Sequence, residues 1–211
     1  MKKLLVALVA AGSAVLGVSS QADAQPYDLV DAPEGVQIRG LVYNGTGCPQ
    51  ASVAGTLSED RKALELIFGA FTAEASQVGL PSEARKFCQI TVDLAFPQGY
   101  SFSLVSGDYR GYADLEPAVV GTQTSSYYFT GGFGYTFRTK LVGPFSENYF
   151  RRDNLALEAA VWSPCGATRP LNINTQAAVS TLANRTGSGL MTLDTLSLVV
   201  RQTYGLAWRK C

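Results

Sequence analysis

Residues 88–96 read Cys88-Gln89-Ile90-Thr91-Val92-Asp93-Leu94-Ala95-Phe96, apolar at every even position and polar or small at every odd one. Successive side chains of an extended chain point to opposite faces, so this run presents one apolar face and one wet face, the pattern of a half-buried β-strand. The same alternation recurs on either side. Leu64, Leu66 and Phe68 oppose Glu65, and Tyr100, Phe102 and Leu104 oppose Ser101 and Ser103. Pro97-Gln98-Gly99 lies between the strands at 88–96 and 100–104 and has the length of a hairpin turn, which predicts that the two pair with each other.

Further strands are expected at 36–43, 52–57, 119–124, 127–130, 135–141, 155–162, 171–175, 190–200 and 203–208. Turn-rich gaps such as Ser58-Glu59-Asp60-Arg61, Gly131-Gly132, Gly143-Pro144 and Ser163-Pro164-Cys165-Gly166 separate several of them. Residues 72–86 carry Gly79 and Pro81 and read as a long loop with at most a short helix. Many short strands without alternating helices predict an all-β domain, an antiparallel β-sandwich or jelly roll. A bacterial outer-membrane barrel also needs alternating strands, but most runs here are shorter than the roughly 9 to 11 residues required to span, and no aromatic girdles are evident.

The chain opens with Lys2 and Lys3, an apolar stretch from Leu4 to Leu16 and the small-residue end Ala22-Asp23-Ala24. These are the three parts of a secretory signal peptide, expected over residues 1–24, with Ser20-Gln21-Ala22 as an alternative cut. Residues 25–35 carry Pro26 and Pro33 and read as a flexible lead-in, and 36–211 as a single β-sandwich domain. Export to an extracellular or periplasmic space follows, with no integral membrane segment in the mature chain. Cys48, Cys88, Cys165 and Cys211 all lie beyond the leader, and an even count in an oxidising compartment reads as two disulfides. Four cysteines allow three connectivities. Cys48–Cys88 with Cys165–Cys211 is favoured because each pair brackets its own half of the chain. Zinc is a poor alternative, since there is no C-x-x-C pair and the chain has no histidine.

Removing residues 1–24 takes away Lys2, Lys3 and Asp23, so 17 basic and 17 acidic residues become 15 and 16, a net charge of −1. That balance argues against a nucleic-acid partner, which calls for a concentrated basic stripe. The adjacent basic pairs, Arg61-Lys62, Arg85-Lys86, Arg151-Arg152 and Arg209-Lys210, read as solvated turns or chain ends. Without histidine the Ser-His and Cys-His nucleophile pairs fall away, and no G-x-S-x-G or phosphate-cradling glycine loop stands in the mature chain. No catalytic residue, metal ligand or cofactor is therefore assigned. Asn44-Gly45-Thr46 and Asn184-Arg185-Thr186 match the glycosylation sequon, but the Met-Lys-Lys opening and A-x-A end look bacterial and no glycan is expected there.

Carboxylates, amides and aromatics remain as candidates. Ser106-Gly107-Asp108-Tyr109-Arg110-Gly111-Tyr112-Ala113-Asp114-Leu115-Glu116 is the densest polar stretch. It reads either as an exposed turn and strand in which Asp108 pairs with Arg110 or caps the loop, or as a ligand site involving Asp108, Tyr109, Arg110, Tyr112 and Asp114. As an enzyme it would use Asp108, Asp114 and Glu116 as acids of the glycosidase kind, and calcium is a further use of the same carboxylates, though no EF-hand spacing supports it. Tyr109, Tyr112, Tyr127, Tyr128, Trp162 and Trp208 are the aromatics weighed for stacking on sugar rings, with core packing as the ordinary use of each. Asn172 and Asn174 alternate with Leu171 and Ile173 and share one face, a polar strip that can hold a ligand or simply face water.

Several local strings together resemble one known group: Gly47-Cys48-Pro49-Gln50, Arg85-Lys86-Phe87-Cys88-Gln89, Asp108-Tyr109-Arg110-Gly111-Tyr112, Trp162-Ser163-Pro164-Cys165-Gly166, Leu171-Asn172-Ile173-Asn174 and Leu206-Ala207-Trp208-Arg209-Lys210-Cys211. They are similar to the secreted family called domain of unknown function 4360, over about residues 36–211. The resemblance implies a secreted, cysteine-bridged β domain in which the asparagine pair and the Asp-Tyr-Arg-Gly string recur, and it carries over no activity and no catalytic residues. The expected function is non-catalytic binding of an extracellular surface, glycan or cell-surface protein. A carboxylate-dependent polysaccharide enzyme and a structural envelope or matrix component are the alternatives.

Overall fold

The structure, a computed structural model, describes residues 28–69, 71–155, 161–165, 169–193 and 200–211. The expected leader at 1–24, the 156–160 part of the strand expected at 155–162 and the 194–199 part of that expected at 190–200 lie outside the described residues. Among the described residues there are thirteen strands and no helix. The larger sheet holds β1 (Leu29–Val30), β3 (Val53–Leu57), β4 (Ala63–Phe68), β5 (Thr72–Ala75), β7 (Tyr100–Leu115), β10 (Phe145–Asn154), β12 (Gly189–Thr192) and β13 (Val200–Lys210). The smaller sheet holds β2 (Gln37–Asn44), β6 (Arg85–Ala95), β8 (Val120–Phe129), β9 (Gly134–Val142) and β11 (Leu171–Ser180), in the order β2-β6-β11-β8-β9.

Every ladder is antiparallel. In the larger sheet β3-β4-β13-β7 run side by side, β10 covers the far edge of β7, and β12 continues along the β13 side of β7 with β5 beyond it. The two open sheets pack face to face as a β-sandwich, with the even positions of residues 88–94 turned inward as the alternation requires. Rings from both layers interlock at one end: Phe102 lies 5.1 Å from Phe129 and 5.5 Å from Trp208, and Phe96 lies 5.5 Å from each of Phe102 and Trp208. Edge-to-face pairs of this kind add about 0.5–1.5 kcal/mol each beyond the apolar area they bury. The disulfides are Cys48–Cys88 and Cys165–Cys211, closing separations of 40 and 46 residues. Closures of that length are worth about 4 kcal/mol each on the chain-entropy account.

Four features depart from the expectations. Pro97-Gln98-Gly99 does not close a hairpin, because β6 belongs to the smaller sheet and β7 to the larger, and the turn carries the chain between layers. Residues 72–86 are not all loop: β5 pairs with β12, and β6 already begins at Arg85. The runs at 100–104 and 106–116 are one 16-residue strand, β7, in which the register against β13 shifts beside Val105. That shift exchanges the faces, so Phe102 and Leu104 point inward before it and Tyr109, Ala113 and Leu115 after it. Finally, β10 was not expected, and Arg151-Arg152 lies within it rather than in a turn. In the lead-in, Leu29–Val30 forms a short strand against β13.

Between the layers lies a polar cluster that the sequence did not disclose. Asp153 of β10 accepts hydrogen bonds from the hydroxyls of Ser125 and Tyr127, the latter at 2.6 Å. Tyr109 and Tyr127 hydroxyls are 2.7 Å apart, Tyr109 and Tyr204 hydroxyls 3.4 Å, and the Tyr204 hydroxyl donates to Gln202 Oε1 at 2.5 Å. Gly107 sits between Asp153 and Tyr204 in the ladders and makes room for the Tyr127 hydroxyl, which a Cβ at Gly107 would overlap. Burial raises the pKa of Tyr109, Tyr127 and Tyr204, so all three stay protonated donors, and burial also raises that of Asp153 despite its two hydroxyl partners.

Candidate binding face

The candidate residues divide between two outer faces and the core. Asp108, Arg110, Tyr112 and Asp114 alternate along β7 on the solvent side of the larger sheet, whereas Tyr109 points the other way and is fully buried in the tyrosine cluster. Tyr127 and Trp208 are core residues as well. Asn172 and Asn174 stand on β11, on the solvent side of the smaller sheet, so the fold places the asparagine strip and the Asp108 string on opposite sides of the sandwich.

On the larger sheet, Asp108 pairs with Arg152 of β10 and not with Arg110. The guanidinium donates from Nε and Nη2 to the two carboxylate oxygens at 2.6 Å each. This fork holds the Arg152 guanidinium above its ordinary range. Arg110 and Arg152 flank the Phe150 ring at 5.5 and 5.8 Å, and the Tyr112 hydroxyl meets Ser146 Oγ at 3.0 Å. Asp108 and Asp114 are six residues apart on one extended strand, roughly 20 Å at about 3.3 Å per residue. Paired glycosidase carboxyls stand about 5 to 9.5 Å apart, so these two cannot flank one scissile bond. Glu116 Oε2 accepts from the Ser188 backbone amide at 2.9 Å. Among the described residues no cluster of three or more acidic, cysteine or histidine side chains is placed to hold a metal ion.

The smaller sheet offers a more coherent surface. Its register aligns outward side chains in rows across the strands. One row runs Val42, Thr91, Asn172, Tyr128, Gly134, and the next Asn44, Gln89, Asn174, Ser126, Thr136. Neither row contains a charged residue. Asn172 is nearly buried and fully engaged, its Oδ1 accepting from Thr91 at 2.8 Å and its Nδ2 donating to Thr130 Oγ1 at 3.0 Å. It braces the face. Asn174, half-buried at the centre of the second row, makes no side-chain hydrogen bond among the described residues.

Tyr128 lies across this face. Its strand is separated from β6 by β11, about 10 Å at two strand spacings. Yet its hydroxyl is 3.5 Å from Gln89 Nε2 on β6. The Tyr128 and Gln89 side chains therefore meet above β11, between the asparagine rows. Phe87 is exposed further along β6, and Phe133, 93% exposed, stands in the β8–β9 turn just past Tyr128. Asn172, Asn174 and Tyr128 were legible candidates. Gln89 and Phe87 were missed because their odd positions next to Cys88 and Ile90 signal only a wet strand face.

Residues 34–211 match the family described as domain of unknown function DUF4360. An uncharacterized secreted protein of Arthroderma benhamiae is 39% identical over 199 residues, covering 92% of this chain and 81% of that protein. Among solved structures, TmCBM61 in complex with β-1,4-galactotriose aligns with 83% of this chain and 91% of its own at 9% identity and a TM-score of 0.29. The family 11 carbohydrate-binding module from Clostridium thermocellum, in complex with a mixed-linked tetrasaccharide, aligns with 83% and 93% at 9% identity and a TM-score of 0.23. Likenesses that low carry no weight for the ligand of this chain.

Proposed function

The chain belongs to the DUF4360 family and is a secreted, disulfide-bonded β-sandwich, and from that premise we propose that it is a non-catalytic extracellular glycan-binding protein whose binding face is the outer side of the smaller sheet. The observation that carries this reading is the reach of Tyr128 over β11 to Gln89, beside the unengaged amide of Asn174 and within two uncharged rows rich in hydroxyl and amide side chains. A sugar ring offers an apolar C–H face and a rim of hydroxyls. The first stacks on an exposed aromatic ring, and the second is matched by amides that can both donate and accept. Asn172 and its threonine partners supply rigidity, so little side-chain entropy is lost when a ligand docks.

Isothermal titration and affinity electrophoresis of the secreted chain against a panel of extracellular and cell-wall polysaccharides test the proposal. Asn174→Ala and Tyr128→Ala are expected to weaken binding by about tenfold or more, 1.4 kcal/mol per decade. Asn174→Ala is expected to leave the melting temperature in place. Silence across the panel, or full affinity in both variants, overturns the proposal.

A further inference from the structure

The face just described is uncharged at its centre but not at its end. Beyond the two neutral rows, the register places Phe87, Gln176, Thr124 and Arg138 in a third row and Arg85, Ala178, Thr122 and Lys140 in a fourth. Arg138 and Lys140 are exposed on β9, two positions apart, and neither has an acidic partner among the described residues. Arg85, also exposed, stands three strands away on β6 and donates from Nε to Gln176 Oε1 at 2.6 Å, which aims its guanidinium across the face. Between these walls, about 14 Å apart at three strand spacings, lie the small side chains Ala178, Thr122 and Thr124, with Gln176 drawn toward Arg85. Thr124 Oγ1 is buried and without a hydrogen-bond partner.

Among the described residues, no carboxylate on the strands of this face stands beside these charges, and Glu83, just before β6, is bound to Lys86 at 2.7 Å. β8, β9 and β11 contain no aspartate or glutamate at all, and Asp93, on the outer side of β6, is bound to Arg39 at 2.7 Å at the opposite end. In a chain with zero formal net charge, three basic side chains around a hydroxyl-bearing trough are a local concentration, not a reflection of bulk composition. The trough also adjoins the stacking surface: Phe87 lies in the third row, beside Gln176.

We infer that the ligand of this face is an acidic polysaccharide, its uncharged ring edges lying on Tyr128, Asn174 and Phe87 and its anionic groups in the trough between Arg85 and the Arg138–Lys140 pair. This rests on the glycan-binding reading above and narrows it to a substrate class. The two arginines can grip a carboxylate, sulfate or phosphate through paired N–H donors, and the Thr122 hydroxyl can donate from below.

The test uses the secreted chain and three polymer pairs that differ only in charge: polygalacturonate and its methyl ester, sulfated and unsulfated dextran, phosphorylated and dephosphorylated mannan. The charged member of at least one pair is expected to bind tenfold or more tighter than its neutral partner, with an advantage that shrinks as salt rises. Which pair responds identifies the anionic group. The double variant Arg138→Gln/Lys140→Gln is expected to abolish that advantage while keeping affinity for the neutral partner and an unchanged melting temperature. Equal affinity for charged and neutral members, or a preference that survives the double variant, overturns the acidic assignment and leaves the glycan reading standing. Absence of binding to all six polymers overturns both.

Discussion

Replacing Gly107 by alanine tests the packing of the tyrosine cluster inside this sandwich. A Cβ there would overlap the Tyr127 hydroxyl and lie 3.1 Å from Tyr127 Cζ and 3.3 Å from Tyr109 Cε2. Overpacking a filled core costs about 1–3 kcal/mol. Displacing the hydroxyl also removes its 2.6 Å bond to Asp153, leaving a buried carboxylate short of a donor at a further cost of about 1.5–3 kcal/mol. Gly107→Ala is therefore expected to destabilise by about 2.5–6 kcal/mol, a fall in Tm of roughly 5–24 °C for a domain of this size. The informative measurement is a double-mutant cycle with Tyr127→Phe, read by urea and thermal unfolding of the oxidised protein. In the phenylalanine background the overlapping oxygen is gone, and Gly107→Ala is expected to cost about 1–3 kcal/mol less than in the parent. Equal costs in the two backgrounds, within about 0.5 kcal/mol, would refute the assignment of the Gly107 vacancy to the Tyr127 hydroxyl.

Reduction should be sequential. Cys165 and Cys211 are exposed while Cys48 and Cys88 are buried, so a mild reductant under native conditions is expected to free Cys165 and Cys211 first, as alkylation and peptide mass mapping would reveal; initial labelling at Cys48 contradicts this. Burial raises the folded-state pKa of Asp153 above 3.8, so the folded chain holds that proton more tightly than the unfolded one. Its contribution to stability is present below about 3.8 and is lost as pH rises through the raised folded value. Asp153→Asn should flatten that acid-side slope in a Tm-versus-pH series, and an unchanged slope would count against it. Asp108→Asn breaks only a surface fork with Arg152, a pair half open to solvent. It is expected to cost no more than about 1 kcal/mol and to leave glycan affinity intact, because Asp108 lies on the other sheet; loss of binding would move the site to the larger sheet.

Legibility in the sequence followed how local each signal is. The strand at 88–96 was readable because Ile90, Val92 and Leu94 are apolar and their odd neighbours are not. β10 was not readable, since its inward positions include Asp153, a charged residue that burial and two hydroxyl donors accommodate only in the assembled core. β7 looked like two elements because the register shift beside Val105 changes which parity faces inward, and a period-two reading breaks there even though the backbone runs on. In the candidate site, Asn172 and Asn174 were visible as a pair on one face, and Tyr128 as one of several aromatics. Their different roles were not, because engagement of Asn172 by Thr91 and Thr130 depends on residues 81 and 42 positions away.

The sequence by itself determined that this chain is extended, two-faced and cross-linked: alternation of side chains and an even set of cysteines are properties of neighbouring residues and of counting. Only the tertiary structure decided which wet face is which. It sent Pro97-Gln98-Gly99 across the layers instead of back along one, put the Asp108 string and the asparagine strip on opposite sides, and lined up Tyr128, Asn174, Gln89 and the Arg85–Lys140 trough from four separate strands. The reason is that period two records whether a side chain points in or out, while strand partner and register are set by the joint burial of residues far apart in the chain.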